Sequence, residues 1–425
     1  MTDAPDTGLL GLVRDRRVLV CLGPGGVGKT TTAAAVGVGA ALLGRRTLVL
    51  TIDPARRLAV AMGLDSISGE VRQVPATWWA AAEGLGVGDA GAAGPRLSAM
   101  MLDTKRACDH IVDKHARSDS VRRAIQDNPL YEQFSTALAG SHDYLAMERV
   151  YELRQEDEFD LIVLDTPPAA QAVEFLEAPR RLLAGMDTSG IDHLLQPIAA
   201  AGRSLAGGTG GKLVLGTAAR VVTAGLSRFT GGQLLTDLAS FLLSFSSMFP
   251  GFQARAEAVM RMLSSEETAF LVVSAPTDFA AAEALRLRRT LDERKLPFGG
   301  FVVNRFHPAP LGSSAPASAN RKGDARRDGA LPPLETMLAA LGDGASPELR
   351  QALPQLYATL AEDIALAARD DRALRRLRTS ADASSAPVAL VPEQPEDVHD
   401  LGGLAQVAGH LGLLPVDSAD SPSTY

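Results

Sequence analysis

Apolar positions along this chain fall into short unbroken runs separated by longer stretches in which they recur every three or four residues. Val18 to Leu22, Thr47 to Ile52, Phe159 to Thr166, Phe270 to Ser274, Phe298 to Asn304 and Pro387 to Pro392 are runs of the first kind. Each is short and rich in leucine or β-branched residues, the pattern of strands buried on both faces. Stretches of the second kind follow Lys29 and occupy Leu97 to Leu153, Arg181 to Leu263, Ala280 to Arg294, Leu334 to Leu341 and Pro347 to Arg378. A closing helix is expected in DVHDLGGLAQVAGHLG. Strands alternating with helices predict an α/β architecture. Gly84 to Gly94 reads as a loop, the Pro, Ser, Ala and charge-rich segment 309–330 as a mobile one, and the tail 417–425 as disordered.

Four of the strands end in chemistry. The first runs into GPGGVGKTTT, which completes G-x-x-x-x-G-K-[ST] when counted from Gly23. Glycines allow successive backbone N–H groups to turn toward phosphate oxygens, and the helix that opens at Lys29 adds its positive end. Gly25, Gly26, Val27, Gly28, Lys29, Thr30 and Thr31 are therefore the candidate ATP-binding stretch. Lys29 would reach the β- and γ-phosphates and Thr30 would ligate Mg²⁺. A glycine-rich turn that binds nothing is the alternative, and the strand before and helix after weigh against it. FDLIVLDT ends in Asp165, an apolar run followed by a carboxylate that orients Mg²⁺. Asp53, at the end of TLVLTID, is either a ligand-facing acid in the crevice beside the first strand or the start of a turn that caps the next helix. Asn304 ends another strand where an adenine-reading amide would sit, able both to donate and to accept.

Composition narrows the class. The chain has 425 residues, enough for two domains or one large domain with an insertion. It is 46% hydrophobic and 22% charged with a net charge of -8, so nucleic acid is not expected as a partner. Cys21 and Cys108 are the only thiols, too few for a disulfide framework or a thiolate zinc site. His110, His115 and His142 lack the paired spacing of a metal site. The polar opening MTDAPDTG has no secretory character, and Leu238 to Gln253, the least charged stretch, is too short and serine-rich to span a bilayer, so a cytoplasmic protein is expected. LVLGTAARVVTAGLSRF and LLTDLASFLLSFSSMFPGF carry more apolar residues than a surface helix needs. Burial in the chain's own core or in a dimer contact is the plainer account, and a groove for an apolar client helix is the other.

The order GPGGVGKTTT, TIDPARRLA, LIVLDTPPAAQAVEFLEAP, VVNRF and LVPEQPEDVHDLGGL resembles the ArsA family of deviant Walker A ATPases, which includes the tail-anchored-protein targeting factor of the GET pathway. It looks closest to actinobacterial members of anion-transporting-ATPase type. The resemblance implies a doubly wound, mostly parallel α/β sheet of the P-loop NTPase kind over 15–415, with helical subdomain insertions at 96–153 and 181–265. It implies an ATP-hydrolysing, Mg²⁺-dependent dimeric switch, with Lys29 and Asp53 catalytic, Asp53 orienting water, Thr30 and Asp165 serving the metal, and Asn304 with Pro392 bordering adenine. A hydrophobic or membrane-protein client, and a position at the inner membrane face, are expectations of the same kind. Four positions depart from the family. Pro24 replaces the signature lysine that reaches across the dimer, the arsenite-binding cysteines and the zinc-binding CxxC are absent, and Gln171 stands where histidine is common. Pro24 leaves open a homodimer with weakened hydrolysis, a heterodimer with a paralogous ATPase that keeps the lysine, or a nucleotide-binding regulatory subunit. The ATPase subunit of an anion exporter is a further alternative.

Overall fold

The computed structural model describes residues 8–52, 57–64, 69–80, 96–129, 131, 142–167, 177, 241, 244, 248–310, 331–341, 346–382 and 386–414. Elements are numbered here in chain order among these residues. Eight strands form one sheet: β1 (Val18–Leu22), β2 (Thr47–Thr51), β3 (Arg72–Gln73), β4 (Leu97–Met101), β5 (Leu161–Asp165), β6 (Thr268–Ser274), β7 (Phe298–Phe306) and β8 (Val388–Pro392). Their spatial order is β3-β4-β2-β5-β1-β6-β7-β8. Every pairing is parallel except that of the two-residue β3 with β4.

Side chains alternate faces along a strand, so each unbroken apolar run feeds two cores at once. Val18, Val20, Leu22, Ile162, Leu164, Phe270 and Val272 enter one core. Against it pack α5 (Thr104–His115), α7 (His142–Glu156), α8 (Phe249–Leu263), α9 (Asp278–Glu293) and α11 (Pro347–Asp382). Leu19, Cys21, Leu161, Val163, Leu271 and Val273 enter the other. That face is covered by α1 (Leu9–Asp15), α2 (Lys29–Leu42), α3 (Arg57–Ala61) and α12 (Leu401–His410). Helices on both faces of a mostly parallel sheet make the fold a doubly wound α/β one. Shorter helices α4 (Ala76–Ala80), α6 (Asp119–Gln126) and α10 (Leu334–Ala340) complete the described set. Among the described residues no helix is long and apolar enough to cross a membrane.

Two boundaries differ from the sequence expectation. The supposed helical stretch 96–153 opens with a strand, because Leu97–Met101 is β4, paired with Thr47 to Thr51 and buried over its first four residues. Its Leu, Ala and Met side chains favour helix in isolation. Burial between β2 and β3 overrides that preference. Helices begin only at Thr104, where the Asp103 carboxylate caps α5 by accepting from the Arg106 N–H at 3.1 Å. The folded body also starts before residue 15, since Leu9 and Val13 of α1 are buried behind the polar opening. Residues 181–240, 242–243 and 245–247 of the second expected insertion, residues 311–330 of the expected loop and the tail lie outside the described residues. Of the apolar stretch ending at Phe252, Phe241, Met248 and Phe252 are buried in the chain's own core.

Candidate functional site

The site forms where β1 ends in the middle of the sheet. From there the chain leaves through α2 toward β2 on one side, while β6 lies on the other, and such a reversal opens a crevice at the carboxyl ends of the strands. The loop from Gly23 to Gly28 fits that crevice only with glycine at its two ends. A Cβ on Gly23 would stand 2.2 Å from the Val273 carbonyl oxygen. Gly28 has φ +90, and a Cβ there would stand 2.2 Å from the Asn304 amide nitrogen. Gly28 is also the N-cap of α2 and supplies no side-chain cap, so the amides at the head of a 14-residue helix face the loop without one.

Lys29 opens that helix at 8% exposure, and its Nζ donates to the Pro24 carbonyl at 2.9 Å. The ammonium is thus folded over the loop, beside a neutral acceptor that phosphate oxygens could replace. Thr30, one residue on, donates from Oγ1 to Asp165 Oδ2 at 2.7 Å. Asp165 ends β5 and is 1% exposed, directly opposite Cys21 on β1 and Thr51 on β2. Thr51 Oγ1 donates to the same Oδ2 at 3.0 Å. Two hydroxyls and one carboxylate are hard oxygen groups, and Thr30 keeps lone pairs available while its proton is on Asp165, so this donor set fits Mg²⁺.

Cys21 shares the neighbourhood without joining the chemistry. Burial, and then the Asp165 charge, push its thiol far above its usual range, which keeps it protonated and apolar. Thr166 ties the strand exits together, donating from Oγ1 to the Cys21 carbonyl at 2.7 Å.

Asn304, at the end of β7, lies against the phosphate loop, with Nδ2 donating to the Val27 carbonyl at 2.9 Å. β8 runs beside it, with Val391 opposite Asn304 and Pro392 opposite Phe306 across a register shift. The two expected adenine-side residues are therefore neighbours. Behind them His307 donates its backbone N–H to Asp370 Oδ2 at 3.0 Å, and its ring faces that same oxygen and Glu393 Oε2, each at 2.7 Å. This cluster ties α11 and the exit of β8 to β7.

Gly25 and Gly26 are exposed at the loop's tip, Val27 is buried beneath it, and Thr31 is half-buried on the first turn of α2. Pro24 is buried. Asp53 and Gln171 lie outside the described residues, and the structure describes β2 and its exit only through Ile52, whose N–H reaches the Asp165 carbonyl at 3.4 Å. Sequence reasoning missed Thr51 and His307. The hydroxyl at the end of TLVLT was the available signal for the first, and nothing in HPAP distinguished the second.

This geometry is that of a P-loop nucleotide-binding protein. Residues 16–212 match the family described as Anion-transporting ATPase, the ArsA ATPases. An uncharacterized protein of Streptomyces coelicolor is 33% identical over 190 residues, covering 44% of this chain and 42% of that protein. ATPase GET3B of Arabidopsis thaliana is 25% identical over 337 residues, 77% of this chain and 75% of its own length. ATPase ARSA1 of Chlamydomonas reinhardtii is 25% identical over 302 residues, 68% of this chain and 35% of its own. Residues 16–212, a little under half of the chain, are thus similar to the ArsA/GET family of ATPases. The chain spans less than half the length of the Streptomyces protein and of ATPase ARSA1, 42% and 35%, and 75% of ATPase GET3B.

Proposed function

We propose that the chain binds and hydrolyses ATP with Mg²⁺, as a dimeric switch that handles a hydrophobic or membrane-linked client. The observation that carries the nucleotide reading is the convergence of the glycine loop, the Lys29 ammonium and the Thr30–Asp165 pair at the carboxyl end of β1. In this reading the triphosphate lies along the loop amides, and Lys29 turns from the Pro24 carbonyl to the β- and γ-phosphate oxygens. Thr30 and Asp165 would hold the magnesium, which would supply charge neutralisation on those oxygens. Asp53 orients a water whose oxygen bonds to the γ-phosphorus as the bond to the bridging oxygen of ADP breaks, with inorganic phosphate and a proton released. Asn304 and Pro392 border the base. Positioning and charge supply most of the acceleration in such transfers.

One observation favours a second reading. Pro24 is buried and has no charge, so this position cannot supply the cation that the family sends across its dimer. A heterodimer with a paralogous ATPase, in which this chain binds nucleotide and hydrolyses weakly, accounts for it. Steady-state phosphate release by the purified chain alone, and then mixed with such a paralogue, separates the two. Full turnover alone, with no increase on mixing, supports the homodimer, and weak turnover that rises on mixing supports the heterodimer. No turnover in either arm removes the ATPase reading.

A further inference from the structure

Resting on the magnesium reading of this site, we propose that Thr51 is a positioning residue that fixes the Asp165 carboxylate for the metal. Two hydroxyls converge on one oxygen of Asp165, Thr30 Oγ1 at 2.7 Å and Thr51 Oγ1 at 3.0 Å. They come from different elements, α2 and β2, so the carboxylate is gripped from two directions. The terminal torsion of an aspartate is broad when nothing restrains it. A second donor on the same oxygen removes that freedom, and it comes from a rigid strand, because Thr51 is 2% exposed and its Cα is paired with that of Asp165 in the parallel ladder.

Thr30 alone cannot do this. Its hydroxyl oxygen would also ligate the metal, so its placement answers to the ion as well as to the carboxylate. Thr51 grips the same Oδ2 from β2, the strand beside β5. It also joins the strand that leads to residue 53 to the strand that carries the magnesium carboxylate. The backbone contact there, Ile52 N–H to the Asp165 carbonyl, is long at 3.4 Å, and the side-chain bond is the shorter tie.

The test is calorimetric titration of the full chain with a non-hydrolysable ATP analogue over a range of magnesium concentrations. Thr51→Val keeps the branched shape and loses the donor, while Thr51→Ser keeps the donor. We expect the magnesium concentration that half-maximally tightens binding to rise about tenfold in Thr51→Val, the scale of one hydrogen bond to a charged group. Binding of the analogue without magnesium stays unchanged, and Thr51→Ser stays within about twofold of the parent chain. Thr51→Ala gives the same reading if the valine chain fails to fold. A magnesium midpoint within about twofold of the parent chain in either donor-free variant overturns the assignment while leaving the site itself intact. A parent chain that binds the analogue without regard to magnesium overturns the underlying reading as well.

Discussion

In the proposed mechanism Lys29 is the residue on which the phosphate chemistry turns. A nearly buried ammonium is stable only where oxygens face it, and the Pro24 carbonyl at 2.9 Å is one such oxygen. Replacing Lys29 with alanine removes that charge from the loop, and ATP affinity by calorimetry is expected to fall at least tenfold, about 2 kcal/mol or more. In the proposed mechanism Asp53→Asn behaves differently. It keeps ATP binding near the parent value and lowers single-turnover hydrolysis by about 10²–10⁴-fold, the usual worth of a residue that directs a proton-bearing nucleophile. Normal hydrolysis by Asp53→Asn would remove that residue from the mechanism. Lys29, Thr30 and Asp165 were legible in the sequence because their motif fixes spacing along the chain. Thr51 was not, since its contact with Asp165 depends on which strands lie side by side, a fact of the sheet order.

Among the elements, α5 and α7 are joined by an electrostatic centre that hydropathy does not show. Glu152 on α7 is 5% exposed and faces His110 at 2.6 Å, Lys114 at 2.8 Å and Arg149 at 2.7 Å. Burial alone would raise its pKa, but the hydrogen bonds from Lys114, Arg149 and His110 outweigh that and hold it at about 2, below the usual 4.5. The unfolded chain therefore takes up this proton at a higher pH than the folded one. The stabilisation is complete above the unfolded value and is lost as pH falls from about 4.5 toward 2. Glu152→Gln is expected to lower thermal stability at pH 7 by about 1–2 kcal/mol and to flatten the acid limb of the stability curve in that window. An unchanged acid limb in the variant would contradict the assignment.

The same helices show where sequence patterns stop. β1, β2, β5 and β6 were readable as apolar runs because both of their faces are buried, and continuous burial leaves a continuous trace. Leu97–Met101 is just as buried at its start, yet its residues are helix formers, and only its neighbours make it a strand. Asn304 was legible as a strand end with a polar amide, while its bond to the Val27 carbonyl emerged only from the fold.

At the scale of the whole molecule, β1 lies inside an eight-stranded sheet with helices on both faces, so the nucleotide loop is held from below by a rigid floor. Contacts from β6, through Val273 behind Gly23, and from β7, through Asn304 beside Gly28, shape the loop from strands that are about 250 residues distant along the chain. The glycine-loop motif occurs once along the sequence, so a single site is expected per chain. In the proposed reading the departure at Pro24 concerns a partner across the site rather than the loop itself, so binding is expected to survive even where hydrolysis needs a second subunit. Calorimetric titration of the purified chain with ATP and magnesium therefore tests the central claim most directly. The account predicts saturable heat with one site per chain, abolished by Lys29→Ala, and an absence of binding heat across temperatures would contradict it.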